Sequence, residues 1–435
     1  MKNIKIGKLL FVFLLFLSLS FAITLNSTSF AASVFELTLS SEGQTYTQGF
    51  NNVSDMYDGL NLSEIQRQLS SYTDTSAATA TLNFRGLPIN VSVPANSNTI
   101  TLNIPSIGVT QTFTGSTRDG SFSSVGDWFR KEGGEAVNKL MAELAKSTAI
   151  DPIAGNPNSL AANIVNNQFQ QGFFLETSII QPVAAPASAP PPSETAKKEV
   201  NANLISIGAS YGSFKQKDLD VRKYTIPLSY SIRSNDDPRR KLTLNIPIAL
   251  LDVQGAKSYD LGIGAALSLP VNKQWVLTPT LDYGAVGSVD MGSLGQIVSG
   301  SLTSAYTIKV DKYNFNIGNM LGYYKTLKLQ IGDYSFDPNI SNTVLRNGVM
   351  VAIPTESIKE HTALEVFVVD TRYFGSALYI DQYNEVGFSF GHTKTAQKEI
   401  SESIIKNYLR EIRAGFTYLS SSNSQGFTVN FGYTF

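Results

Sequence analysis

The sequence predicts an all-β transmembrane antiparallel barrel of about twelve strands, preceded by a small α+β soluble domain. Three observations predict it. The last ten residues, Gly426 to Phe435, alternate without a break: Phe427, Val429, Phe431, Tyr433 and Phe435 on one side, small or polar residues on the other. Successive strand residues face opposite ways, so one side meets lipid and the other a polar lumen. Stretches of this kind, each about ten residues long as a tilted barrel strand requires, recur through 196–435. Composition agrees, because 33 Gly, 19 Tyr, 25 Phe, no Cys and a mean hydropathy of -0.03 are what alternating strands average to.

At the amino terminus, Lys2, Lys5 and Lys8 precede the apolar run Leu9 to Leu19, and small residues follow at Ala22, Ala31 and Ala32. Residues 1–32 read as a secretory signal peptide, with cleavage after Ala22 or Ala31 equally compatible. The run is too short to span a bilayer as a helix, which takes about 20 apolar residues. Residues 33–180 read as the α+β domain. Its expected strands are Val34–Leu39, Ala80–Phe84, Ile89–Val93, Ile100–Ile104 and Val109–Phe113. Val137, Leu140, Met141 and Leu144 recur at helical spacing, with Trp128 and Phe129 at the opening turn and Ser124 or Asp127 as caps. A second helix runs from Asn158 through Leu160, Ile164, Val165 and Phe169, its stripe reading as domain core. Residues 181–195, with Pro190, Pro191 and Pro192, form a stiff linker that could reach about 45 Å. That span suits either crossing the barrel or holding two domains apart.

Residues 196–435 form the barrel. The clearest strand sets Tyr224, Ile226, Leu228, Tyr230 and Ile232 outward, and Thr225, Ser229 and Arg233 inward. Arg233, Asp260 and Asp282 are the expected lumen-facing charges, tolerable where the lumen is wet. Short turns are expected at Asn235–Pro238, Val271–Lys273 and Asp311–Lys312 on the periplasmic side. Longer external loops are expected at Gly284–Gln296 and Thr326–Thr343. Thr393–Lys406 is a long charged connection on the periplasmic side.

The terminal strand resembles the signal that barrel-assembly machinery reads at the carboxyl end of bacterial outer-membrane proteins, with Phe427, Val429, Phe431, Tyr433 and Phe435 as its residues. Chain order and barrel size resemble the autotransporter translocator, in particular solitary autotransporter-type barrels with a small amino-terminal region. The resemblance implies an outer-membrane protein that anchors, translocates or displays its amino-terminal domain. Its implied surroundings are outer-membrane lipid and the assembly machinery. In that family a helix just before the first strand fills the pore, and here only Glu194–Glu199 is available for it. A small-solute, porin-like channel is the alternative, and an outer-membrane hydrolase a weaker one.

Other classes find little support. The 34 basic and 35 acidic residues nearly cancel and no basic run stands out, so no nucleic-acid partner is expected. Without cysteine there are no disulfides, thiol nucleophiles or thiolate metal sites. Barrel lipid hydrolases pair His and Ser two residues apart, but His361 is flanked at that spacing by Lys359 and Ala363, and His392 by Phe390 and Lys394. Asp236-Asp237, in its Asp-Asp-Pro setting, reads as a turn. Asp151–Pro157 and Gly287–Gly292 lack the ligand spacing of calcium loops or a phosphate-loop lysine. No catalytic residue, cofactor or metal site is expected.

Overall fold

A computed structural model describes residues 33–59, 62–131, 133–180, 204–234, 236–331, 334–355, 362–393 and 413–434. The signal segment, the linker, Glu194–Glu199, His361 and Phe435 lie outside the described residues, as does most of Thr393–Lys406.

Six antiparallel strands form the first sheet: β1 Phe35–Ser41, β2 Gln44–Phe50, β3 Ala78–Phe84, β4 Leu87–Val93, β5 Thr99–Ile104 and β6 Val109–Thr114, in the order β2-β1-β3-β4-β5-β6. Glu42 and Gly43 both take positive φ in the two-residue β1–β2 hairpin, as do Arg85 and Gly86 between β3 and β4. A mirror-image turn of that kind matches the twist of the strands it joins. Inward residues such as Leu37, Leu82, Ile89 and Leu102 are buried. On the outer face the register aligns two ranks that cross all six strands. One is Thr47, Thr38, Thr81, Asn90, Asn103 and Thr110; the other is Thr45, Ser40, Thr79, Ser92, Thr101 and Thr112.

Helices back the inner face: α1 Val53–Asp58, α2 Leu62–Gln68, α3 Arg118–Lys131 and α4 Gly134–Ser147. The expected Ser124 or Asp127 cap is corrected. Trp128 and Phe129 sit near the end of α3, where Ser124 Oγ donates to the Gly120 carbonyl at 2.9 Å, and α4 starts afresh after Gly133. A fifth helix, α5 Leu160–Phe169, is capped by Ser159 and continues through a π-helical turn, Gln170–Phe174, to Leu175–Thr177.

The barrel closes from twelve strands, β7 Leu204–Gln216, β8 Leu219–Arg233, β9 Lys241–Val253, β10 Ala256–Pro270, β11 Trp275–Ser288, β12 Ser293–Val310, β13 Tyr313–Leu327, β16 Ser341–Pro354, β17 Thr362–Gly375, β18 Gln382–His392, β19 Arg413–Ser421 and β20 Ser424–Thr434. A two-stranded hairpin, β14 Leu329–Ile331 and β15 Tyr334–Phe336, stands in the β13–β16 connection. Pairing of Val429 with Tyr211 and Phe431 with Ala209 joins last strand to first, so no barrel edge is left unpaired. Tyr224, Ile226, Tyr230 and Ile232 face outward and are exposed. The expected loop Gly284–Gln296 is mostly strand, because Ser288 pairs with Ser293 and only a four-residue turn remains. At 18 residues β12 would extend to about 60 Å, well beyond one bilayer crossing even when tilted.

The α+β segment, expected to stand apart, is packed into the barrel. One apolar core runs from Phe35 and Leu102 in the sheet through Ile153, Phe169 and Phe173 to Met320 and Met350 on the barrel's inner wall.

Candidate functional site: the occupied lumen

The chain enters the barrel at the mouth that lies opposite the barrel's own termini. There the Val53 amide donates to the Asp290 carbonyl at 2.8 Å, and the Ile380 amide to the Gly155 carbonyl at 3.0 Å. The connecting loop Asp151–Ser159 is wholly buried. Arg85 Nη1 meets Asp151 Oδ2 at 3.2 Å with both side chains 1% exposed, while the amides of Ile153 and Ala154 donate to Asp151 Oδ1. Burial raises the Asp151 carboxyl above its ordinary range, opposed by Arg85 and those two amides. Asp151–Pro157 is the neck through which the chain passes.

From the neck, α5 descends the lumen against β10, β11, β12 and β13. Its apolar stripe needs room close to the wall, and inward glycines provide it. A Cβ on Gly284 would stand 2.9 Å from Leu160, on Gly295 2.8 Å from Ile153, on Gly318 2.4 Å from Phe173, and on Gly348 2.9 Å from Phe169. The helix returns the fit at Gly172, whose Cβ would stand 2.5 Å from Thr303. Such separations lie below carbon–carbon contact, so the backbones approach only because these positions lack side chains.

Between and beside these apolar residues α5 carries amides, and they meet the lumen's charges. Asn163 Nδ2 donates to Asp260 Oδ2 at 2.5 Å, while Asn163 Oδ1 accepts from Lys223. Asn167 donates to Asn245 at 2.8 Å and to Asp282 at 3.3 Å. Gln168 donates to Asp282 at 2.9 Å. Arg346 donates to Asn166 at 2.6 Å, pairs with Glu385 at 2.5 Å and lies over the Phe169 ring at 5.1 Å. Two of the three charges expected to face water, Asp260 and Asp282, are thus buried against the chain's own helix. Arg233, the third, is half-buried near the other mouth and does not join them.

Toward the barrel's termini the helix is pinned again. Glu176 pairs with Lys241 at 3.0 Å and accepts from Ser268 at 2.7 Å. Glu365, fully buried, accepts from Ser178 Oγ at 2.7 Å and from the Ile179 amide at 2.8 Å, and pairs with Arg413 at 3.1 Å. Ile180 bridges Thr393 at that mouth. The pore-filling helix is thus upstream of the linker, correcting the expectation that only Glu194–Glu199 could serve. Missing from the sequence reading were Asn163, Asn166, Asn167, Gln168, Arg346 and Glu365; the signal for the first four is a ten-residue helix with four amides and no charge.

Of the strand-end residues, Phe427 and Val429 are half-exposed and Phe431 is exposed on the lipid side, and Tyr433 pairs with Ile207. Among the described residues no group of three or more His, Cys, Asp or Glu is placed to hold a metal.

Fold and lumen together define a closed outer-membrane-type barrel occupied by a helix of its own chain. The barrel is similar to autotransporter β domains. That of the Bordetella autotransporter BrkA is 10% identical, covering 54% of this chain and 99% of its own, with a TM-score of 0.38. The translocator domain of the autotransporter NalP from Neisseria meningitidis is 8% identical, covering 55% and 91%, with a TM-score of 0.38. An outer membrane channel from Pseudomonas putida F1 is 12% identical, covering 57% and 100%, with a TM-score of 0.37. No protein-family model matches the chain, and no curated protein does.

Proposed function

We propose that this protein is a self-plugged, non-enzymatic display anchor: an outer-membrane barrel that holds its α+β domain on the cell surface in autotransporter-like fashion. The observation that carries the reading is the path of the chain. It runs mouth to mouth through the lumen, from the Gly155–Ile380 contact at one end to the Ile180–Thr393 bridge at the other. An even-stranded barrel with both termini in the periplasm has its opposite mouth outside, and the α+β domain sits on that mouth. The lumen charges Asp260, Asp282 and Arg346 are engaged by α5, which favours an anchor over the porin-like alternative and leaves them unsuited to hydrolytic work. Outer-membrane lipid against the apolar belt and the assembly machinery at the terminal strand are the partners this role requires.

Topology tests it. A tag at Thr75 should react with antibody on intact cells, while a protease site placed in Ala184–Ala189 should be cut only after the outer membrane is opened. A tag that becomes reactive only after opening would put the domain in the periplasm and overturn surface display.

A further inference from the structure

Among the described residues the barrel ladder lapses at three places, and each lies at a proline. Pairing skips Gly208 and Ala209 of β7 opposite Ile226 and Pro227 of β8, and Gly262 and Ile263 of β10 opposite Ile246 and Pro247 of β9. Pro279 of β11 accounts for the third, beside Leu267 and Ser268 of β10. A proline has no N–H to give the neighbouring strand, which is why it is otherwise confined to edges and bulges. The register puts the first two lapses in one inward rank: Gly432, Gly208, Pro227, Pro247, Gly262 and Gly284, on β20, β7, β8, β9, β10 and β11. Glycine leaves room for the rings, since a Cβ on Gly208 would stand 3.0 Å from Pro227 and one on Gly262 2.9 Å from Pro247. Between β8 and β9 themselves pairing runs unbroken from Val221–Val253 to Arg233–Lys241.

We infer that the half of the β8–β9 hairpin nearer the barrel's termini, residues 228–233 and 241–246, is a flap hinged on the Pro227–Pro247 line and latched by the plug. Below the lapses only four pairs, Leu204–Ser231 to Ile207–Leu228, tie the flap to β7, and five, Asn245–Gly264 to Lys241–Ser268, tie it to β10. Above them both seams resume, from Ser210–Thr225 to Gln216–Leu219 and from Leu261–Ile248 to Ala256–Val253, so the barrel stays closed around α5. A short stretch of ladder beside a break opens at less cost than a whole strand. The flap also has room on its lumen side. Inward Ser206, Ser210, Thr225 and Ser229 are half-exposed, and a Cβ on Gly208 or Gly432 would meet no plug residue, unlike one on Gly284, Gly318 or Gly348. The latch is made low on the plug, where Lys241 pairs with Glu176 at 3.0 Å with side chains 13% and 5% exposed, and Asn167 donates to Asn245 at 2.8 Å. A pair so sheltered from water holds better than a surface one. With the latch made, the flap is shut; with it broken, the two seams beside the plug's lower end can open. The flap does not depend on which side of the membrane the α+β domain stands.

The test is hydrogen exchange read by mass spectrometry on the full chain in detergent. Amides of residues 228–233 and 241–246 should exchange about tenfold faster than those of 304–310 and 313–319, the same end of the unbroken β12–β13 hairpin. The double variant Pro227→Thr/Pro247→Thr restores both N–H donors and should bring the flap down to the β12–β13 rate. A reversible clamp checks the hinge without touching the prolines. Ser206 and Ser229 are directly opposed across the β7–β8 seam, and the chain has no other cysteine, so Ser206→Cys/Ser229→Cys should slow the flap when oxidised and release it when reduced. Glu176→Gln should speed the flap about tenfold while leaving β12–β13 unchanged, because it removes a charged hydrogen-bonding partner. Unchanged heat-modifiability would show that each variant folds. A flap that exchanges no faster than β12–β13, or one that neither the threonine variant nor the oxidised clamp slows, would overturn the hinge. A Glu176→Gln protein exchanging like the wild type would overturn the latch.

Discussion

A single methyl group tests whether the helix and the wall are fitted to each other. Gly318 and Gly348 are paired across β13 and β16, and Phe173 and Phe169 lie against them with ring centroids 5.0 Å apart. Neither side can yield cheaply, because the strands are held in the ladder and Phe173 is enclosed by Phe169 and Phe174. Gly318→Ala should therefore destabilise the protein by about 1–3 kcal/mol, the usual cost of overpacking, seen as a lower urea midpoint at unchanged slope. Gly432→Ala is the control, since a Cβ there meets nothing within 4 Å. Equal midpoints for the two variants would mean the lumen is looser than the geometry says. These glycines also mark where the sequence was ambiguous. A small inward residue reads as a wet lumen, because alternation tells which way a side chain points and not whether water or a phenyl ring stands opposite. Asp260 and Asp282 were legible as inward charges for the same reason, while their amide partners were not.

Elements show the same division between facing and partner. Period-two alternation exposed all twelve barrel strands, since lipid imposes one rule on the outside of each. Strand ends were read short because the segments past the membrane, such as Gly284–Ser288, keep pairing without needing an apolar face. β2 went unread because an edge strand with Gln44, Thr45, Thr47 and Gln48 offers polar residues on both faces. The stripe of α5 was found and assigned to a soluble core, as Leu160, Ile164, Val165 and Phe169 would look the same packed on a sheet or on a barrel wall. Its distinguishing mark is four amides and no charge in ten residues, which suits a wall that must be hydrogen-bonded but is closed to bulk water. If α5 and its continuation are the plug, the full chain should be electrically silent in planar bilayers. Deleting Leu160–Thr177 should then give steady conductance through a modest twelve-stranded pore. A wild-type protein with open-pore currents equal to the deletion variant's would remove the plug from the account.

For the molecule as a whole, the question is what keeps the α+β domain on the barrel. Ile180, just before the linker, and Leu204, at the start of β7, both lie at the mouth that holds the barrel's termini. The crossing is made by α5, whose Leu160, Ile164, Val165, Phe169 and the following Phe173 are all at most 3% exposed. At about 2 kcal/mol for each buried side chain, these five contribute on the order of 10 kcal/mol as an upper figure. Breaking buried pairs such as Glu365–Arg413 would add a further cost, because withdrawal of the helix strands a charge in a dry setting. Release also requires the helix to slide past a closed ladder that cannot open sideways. Cleavage of the purified protein at an engineered site in Ala184–Ala189 should therefore leave the two fragments comigrating on size exclusion in detergent. They should separate only under conditions that unfold the barrel. Fragments that part in native buffer would show that the linker, and not the filled lumen, is the tether.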